Sequence, residues 1–184
     1  MADQVELSPV DLEILRVLQN DARTSNKELA AAVGLAPSTC LDRVARLRET
    51  GVITGQHAQV DAAKLGRPLE AFLFVQVRPH RRPLVEQFVQ HLLALPEIRA
   101  VYHLTGPDDF LAHVATTSAA ELQRLVLDEL TSRDEVARVH TNLVFQHWQG
   151  GPLLPPATPQ HHARTERDDF SRSGGGAGIR RRNR

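Results

Sequence analysis

Cysteine, net charge and long apolar runs are what this chain has least of. One cysteine, Cys40, among 184 residues excludes an intrachain disulfide framework and suits a reducing cytosol. No stretch of 18 consecutive apolar residues occurs, so no membrane-spanning helix is expected. The opening MADQVELSP lacks the basic-then-apolar order of a secretory signal. The formal net charge is zero, but it is unevenly spread. Residues 1–149 carry 15 Lys and Arg against 19 Asp and Glu, while residues 150–184 carry 7 against 3. A folded part of negative balance speaks against general nucleic-acid coating; contact with DNA would need a local patch or the tail.

Three helices are predicted over residues 8–50. Ser8-Pro9-Val10-Asp11 supplies a capping hydroxyl, a proline at the first helical position and an acid in the first turn, and Leu12, Leu15 and Leu18 continue as an apolar stripe. Ser25-Asn26-Lys27-Glu28 is a capping box for a second helix that packs Leu29, Ala32 and Val33 and stops at Gly34. The third opens at Pro37 and ends before Gly51, a glycine suited to the residue after a helix end. In it, Leu41, Val44 and Leu47 recur every three residues as a core side, and Thr39, Asp42, Arg43 and Arg46 fall on the other. A helix held from behind with hydroxyls and guanidiniums in front is what major-groove reading requires. Residues 53–61 then read as a short β-ribbon, giving a winged helix-turn-helix over 1–60.

Residues 61–69, with Lys64-Leu65-Gly66-Arg67-Pro68, read as a hinge. Beyond it the periodicity changes. Ala71 to Val77 is a nearly continuous apolar strand, 83–93 a helix, 97–105 and 110–116 strands flanking a Gly106-Pro107-Asp108-Asp109 turn, Ser118 the cap of another helix, and 136–147 a last strand. The order βαββαβ is the ferredoxin-like arrangement, so the fold class is α+β, and this unit occupies 70–149. Its first strand leaves no polar side at Phe72, Leu73, Phe74 and Val75, which predicts a second subunit packed sheet to sheet. Residues 150–184, rich in Gly, Pro and Arg, are expected to be a disordered basic tail. Such a tail is either simply solvated or an arm that seeks phosphate.

The chain resembles the Lrp/AsnC, or feast/famine, transcription regulators over roughly residues 8–147. The resemblance is carried by Asp11-Leu12-Glu13-Ile14-Leu15, Asn20-Asp21-Ala22-Arg23, Glu28-Leu29-Ala30, Arg43-Val44-Ala45-Arg46-Leu47, Gly51-Val52-Ile53-Thr54-Gly55, Leu65-Gly66 and Thr105-Gly106-Pro107-Asp108-Asp109-Phe110. It implies a DNA-binding domain followed by a domain that oligomerises and senses small molecules. It further implies dimers that assemble into tetramers or octamers in the cytoplasm on the nucleoid, and an amino-acid effector beside the loop Thr105–Phe110. The chain departs from the family pattern in three places: Pro107 and Asp108 replace an acid-aromatic pair, Ala36 replaces a capping serine, and Asp42 stands where a basic or neutral residue is frequent.

The DNA-binding residues are therefore assigned as Ser38, Thr39, Asp42, Arg43 and Arg46, with Asp42 either accepting from a cytosine amino group or, the preferred reading, orienting Arg43 or Arg46. The bland alternative is a solvated face in which the arginines pair with Asp42 or Glu49. Thr105, Gly106, Asp108, Asp109 and Phe110 are assigned to an effector, against plain turn duty. His103, His113 and His140 lie on different strands and could converge on one sheet face, but no metal-ligand spacing supports them, and neither metal nor cofactor is assigned. Cys40 reads as a small packing residue. Some proteins resembling the family are decarboxylases, so an enzyme on the same fold, or a non-catalytic sensing module, stands as the alternative. No nucleophile–base pair favours catalysis, and no catalytic residue is assigned.

Overall fold

The computed structural model describes residues 5–78 and 82–156. Three helices come first: α1 (Pro9–Asn20), α2 (Asn26–Ala32) and α3 (Pro37–Glu49). Both serine caps form reciprocal boxes, Ser8 with Asp11 and Ser25 with Glu28. Ala36 has no side chain to cap α3. Gly34, at φ 69°, makes the turn between α2 and α3, and Asn26 Nδ2 donates to the Pro37 carbonyl at 2.8 Å, joining the starts of the two helices.

The helical core is Ile14, Leu15, Leu29, Ala30, Cys40, Val44 and Leu47. It corrects three sequence expectations. On α1, Ile14 and Leu15 are buried while Leu12 and Leu18 are only half-buried. On α2, Ala30 packs where Ala32 was expected, and Ala32 is exposed. On α3, Leu41 is 55% exposed and Cys40 takes its place. At 3.6 residues per turn, positions 40, 44 and 47 share a side, whereas 41 lies about 120° from 47. Cys40 is the packing residue it was read to be.

Residues 53–61, expected as a β-ribbon, form no strand within the chain; a ribbon needs a second strand beside it to pair. The hinge region is a built turn. Asp61 accepts from the amides of Ala63 and Lys64, a single 3₁₀ turn spans Ala63–Leu65, and Arg67 donates to the Ala115 carbonyl at 2.9 Å.

The second unit follows as β1 (Leu69–Val77), α4 (Arg82–Ala94), β2 (Ile98–His103), β3 (Phe110–Thr116), α5 (Ala119–Arg124, continued by a π-turn over Leu125–Thr131) and β4 (Val136–Leu143). The sheet order is β2-β3-β1-β4 with antiparallel neighbours, the ferredoxin-like order. Alternation along β1 sends Ala71, Leu73, Val75 and Val77 into a core with Phe88, Leu92, Phe110 and Leu130. Phe72 and Phe74 face the other way and are half-buried.

The last strand is shorter than predicted: it ends at Leu143, and one further bond to β1 closes it. The Val144 amide donates to Glu70, and the chain then runs back to the first unit. There Leu153 and Gln19 exchange two hydrogen bonds, at 2.8 and 3.0 Å, and Leu154 packs against the helical core. The tail expected from Gly150 thus begins with a segment held against α1; residues 157–184 lie outside the described residues.

Candidate nucleic-acid interface and effector loop

Ser38, Thr39 and Asp42 are exposed on α3, as is Arg46, while Arg43 is half-buried toward α1. The five residues assigned to DNA therefore lie on one helix, but they do not form one uniform face. Arg43 Nη1 donates to Asp11 Oδ1 at 3.0 Å and Arg46 Nη2 to Asp11 Oδ2 at 2.7 Å. Sequence reasoning expected Asp42 or Glu49 as arginine partners and used Asp11 only as a helix-start acid. Residues 32 and 35 positions apart leave no trace in local spacing, so the only available signal was an aspartate in a capping position that glutamate usually fills.

Asp11 is fully buried yet charged. Burial raises its pKa, but the Ser8 hydroxyl and amide, the Arg43 guanidinium and the charge of Arg46 outweigh that and hold it below the ordinary carboxylate range. The two arginines, Thr39 and Asp42 line an open bay of about 790 Å³ between the start of α1 and α3. Cys40 lies behind them, its thiol pushed up by burial. A buried thiol of raised pKa is inert.

The loop between β2 and β3 is closed by the Leu104 amide donating to the Asp109 carbonyl at 2.8 Å. Asp109 also donates from its amide to Val75 at 3.0 Å and accepts from the Val77 amide at 2.7 Å. Asp108 meets Arg138 at 3.3 Å, and Gln76 Nε2 donates to the Pro107 carbonyl. Phe110 is fully buried against Phe88 and His103. Thr105 and Gly106 are exposed. The loop thus divides into a frame (Asp109, Phe110) and a rim (Thr105, Gly106, Asp108).

The three strand histidines do not share a face. His113 and His140 sit opposite Phe72 and Phe74 on the open face, whereas His103 sits opposite the buried Phe110 on the helix side. His113 is paired with Glu70 at 2.7 Å. Among the described residues no three His, Cys, Asp or Glu side chains gather to hold a metal ion, and no helix is long and apolar enough to cross a membrane.

A helix pair whose second helix presents hydroxyls and guanidiniums, joined to a ferredoxin-like unit, is the build of a helix-turn-helix regulator with a second domain. Residues 7–54 match the winged helix-turn-helix DNA-binding model and residues 70–152 the Lrp/AsnC ligand binding domain. The chain is 39% identical over 149 residues to the HTH-type transcriptional regulator AldR of Mycolicibacterium smegmatis, covering 81% of this chain and 87% of that protein. It is 36% identical over 146 residues to the leucine-responsive regulatory protein of Rhizobium meliloti, covering 79% and 94%. Among solved structures, a transcriptional regulator of Neisseria meningitidis in complex with L-Met superposes with a TM-score of 0.75 at 30% identity, covering 82% of this chain and 97% of that one. The chain belongs to the Lrp/AsnC family of transcriptional regulators.

Proposed function

We propose that the chain acts as a dimer, or a closed assembly of dimers, in the cytoplasm on chromosomal DNA, where α3 reads the major groove and an amino acid tunes occupancy. The observation that carries the reading is the free side of α3: Ser38, Thr39 and Asp42 stand exposed at its N-terminal half, with Arg43 and Arg46 fixed beside them. Hydroxyls and backbone amides at a helix start suit phosphate and base edges, and arginine suits guanine. Dimerisation is supported by the open sheet face, where Phe72 and Phe74 lie beside Leu111 and Tyr102. Two heads would then meet successive major grooves about 34–36 Å apart.

An amino-acid effector is supported by the family's ligand-binding domain and by the L-Met complex of the Neisseria relative. Thr105, Gly106 and Asp108 are the residues we assign to it, on a rim that Asp109 and Phe110 hold in place. The curated relatives are regulators, which favours a binding role over catalysis.

Selection from a pool of random duplexes, followed by gel-shift titration with and without each of the twenty amino acids, tests both parts. Enrichment of a sequence with two related half-sites is expected, as is a shift in its affinity with at least one amino acid. Failure to enrich any sequence removes the DNA-reading proposal. Absence of any amino-acid effect on affinity or on light-scattering mass removes the effector.

A further inference from the structure

Two capping boxes in this chain use an acid at the same helical position, and they differ in one respect. Glu28 bonds the amide and hydroxyl of Ser25 and remains at the surface. Asp11 bonds the amide and hydroxyl of Ser8 at 2.9 and 2.6 Å, is wholly shielded from water, and collects Arg43 and Arg46 besides. Capping does not require burial or two cations, and a buried charge is costly unless its partners are well placed. The extra cost at Asp11 goes with an extra task.

The arrangement is specific. One carboxylate oxygen takes a terminal nitrogen of Arg43, the other a terminal nitrogen of Arg46. The same Arg43 nitrogen also donates to the Ser8 hydroxyl at 3.1 Å. Arg43 Nε is left buried without a partner, so the residue gives up a hydrogen bond to hold this pose. Among the described residues, Arg43 Nη2 and Arg46 Nη1 make no hydrogen bond to the protein, and both side chains line the bay that Thr39 and Asp42 share. Three acids, Glu6, Asp11 and Asp42, line the bay with the two arginines, and of the three only Asp11 is in contact with both guanidiniums.

We propose that Asp11 is a specificity-determining residue that acts on DNA reading without touching DNA. It anchors one end of each guanidinium, so that the free ends of Arg43 and Arg46 are aimed, and it cancels charge that would otherwise hold α3 to any phosphate. The inference rests on the proposal that α3 enters the groove. Anchored guanidiniums lose little freedom on meeting the right base edge, while a cancelled charge lowers the sequence-independent affinity set by counterion release.

The two effects make Asp11→Asn tighten one DNA without a matching gain on the other, which a purely structural role does not. The experiment uses the full chain, the duplex that the wild type selects from a random pool, and a scrambled duplex of equal length, titrated over a range of salt. Asp11→Asn is expected to bind the scrambled duplex more tightly, with a salt slope steeper by about one phosphate contact. It is expected to lose roughly tenfold in the ratio of selected to scrambled affinity. A parallel loss on both duplexes, or an unchanged ratio, overturns the proposal. Adding Asp11→Asn to a chain that already carries Arg43→Gln and Arg46→Gln should change the ratio no further, and a further fall also overturns it. Should Asp11→Asn melt below the assay temperature, Ser8→Ala serves instead. It removes an acceptor of Arg43 and a donor to Asp11 but keeps every charge. Its ratio should fall while scrambled-duplex affinity holds, and an unchanged ratio again overturns the idea. Failure of the wild type to enrich any duplex overturns the DNA-reading proposal itself, and this one with it.

Discussion

A carboxylate removed from water keeps its charge only if what surrounds it compensates, and around Asp11 that compensation is counted in named donors: Ser8 twice, Arg43 once and Arg46 once. Because these hold its folded pKa below the ordinary value, the group contributes stability that is complete above the unfolded value of about 3.9. That contribution is lost as pH falls through the lowered folded value. Melting of the wild-type helical unit should therefore fall on acidification below about pH 4. Glu28, Glu121 and Glu135 are also lowered and contribute to the same acid limb, so the informative quantity is the difference between chains. In Asp11→Asn the acid limb should be shallower than in the wild type, measured by circular dichroism melts between pH 2 and 7. Superimposable limbs would show that the carboxyl carries no such linkage. At this scale the sequence was least legible. Ser8 and Asp11 were readable as a cap, but the arginines that complete the site come from the far end of the unit, and only the packing of α1 on α3 brings them together.

Elements were more legible, because caps and periods are local. Both capping boxes form where Ser8 and Ser25 stand, and the starts of α3, β3 and β4 were readable from proline, turn and alternation signals. What was misread is phase. Spacing of three along Leu41, Val44 and Leu47 looked like a stripe, yet a helix turns far enough in each residue that Cys40, a small apolar residue easily discounted, takes the first place. The two leucines should then behave differently. Leu47→Ala, at a fully buried site, is expected to cost about 2–5 kcal/mol; Leu41→Ala should stay within about 0.5 kcal/mol. Urea melts of both variants decide the phase, and equal losses would contradict the packing. The start of α3 offers a second check. Ala36 has the extended backbone of an N-cap, at φ −67° and ψ 144°, but no side-chain acceptor. Ala36→Ser should therefore gain about 1 kcal/mol, seen as a raised melting temperature; no gain would mean that the first amides of α3 are already satisfied.

The described residues form two cores tied at two places, by the built turn at Asp61–Arg67 and by the returning segment whose half-buried Leu154 packs against the helical core. The return was not legible, since Gly150 onward reads as low-complexity chain, and two leucines between prolines give no period to detect. The open sheet face was legible from the unbroken apolar run of β1, and it is the face proposed for the subunit contact. Phe72 and Phe74 stand on it beside Leu111 and Tyr102. Phe145, 99% exposed, and Trp148, 76% exposed, follow on the returning segment. Clustered exposed apolar side chains of this kind mark a candidate interaction face. Phe74→Glu should test it cleanly, because the side chain is only half-buried within its own chain and its loss leaves the core of Leu73 and Val75 intact. Light scattering should report a monomer whose circular dichroism matches the wild type. Affinity for a duplex with two half-sites should fall toward that for a single half-site, because two linked heads bind the second site at a high effective concentration and one head does not. A folded variant that retains the wild-type mass would place the subunit contact on another surface and leave the apolar face of this sheet without an occupant.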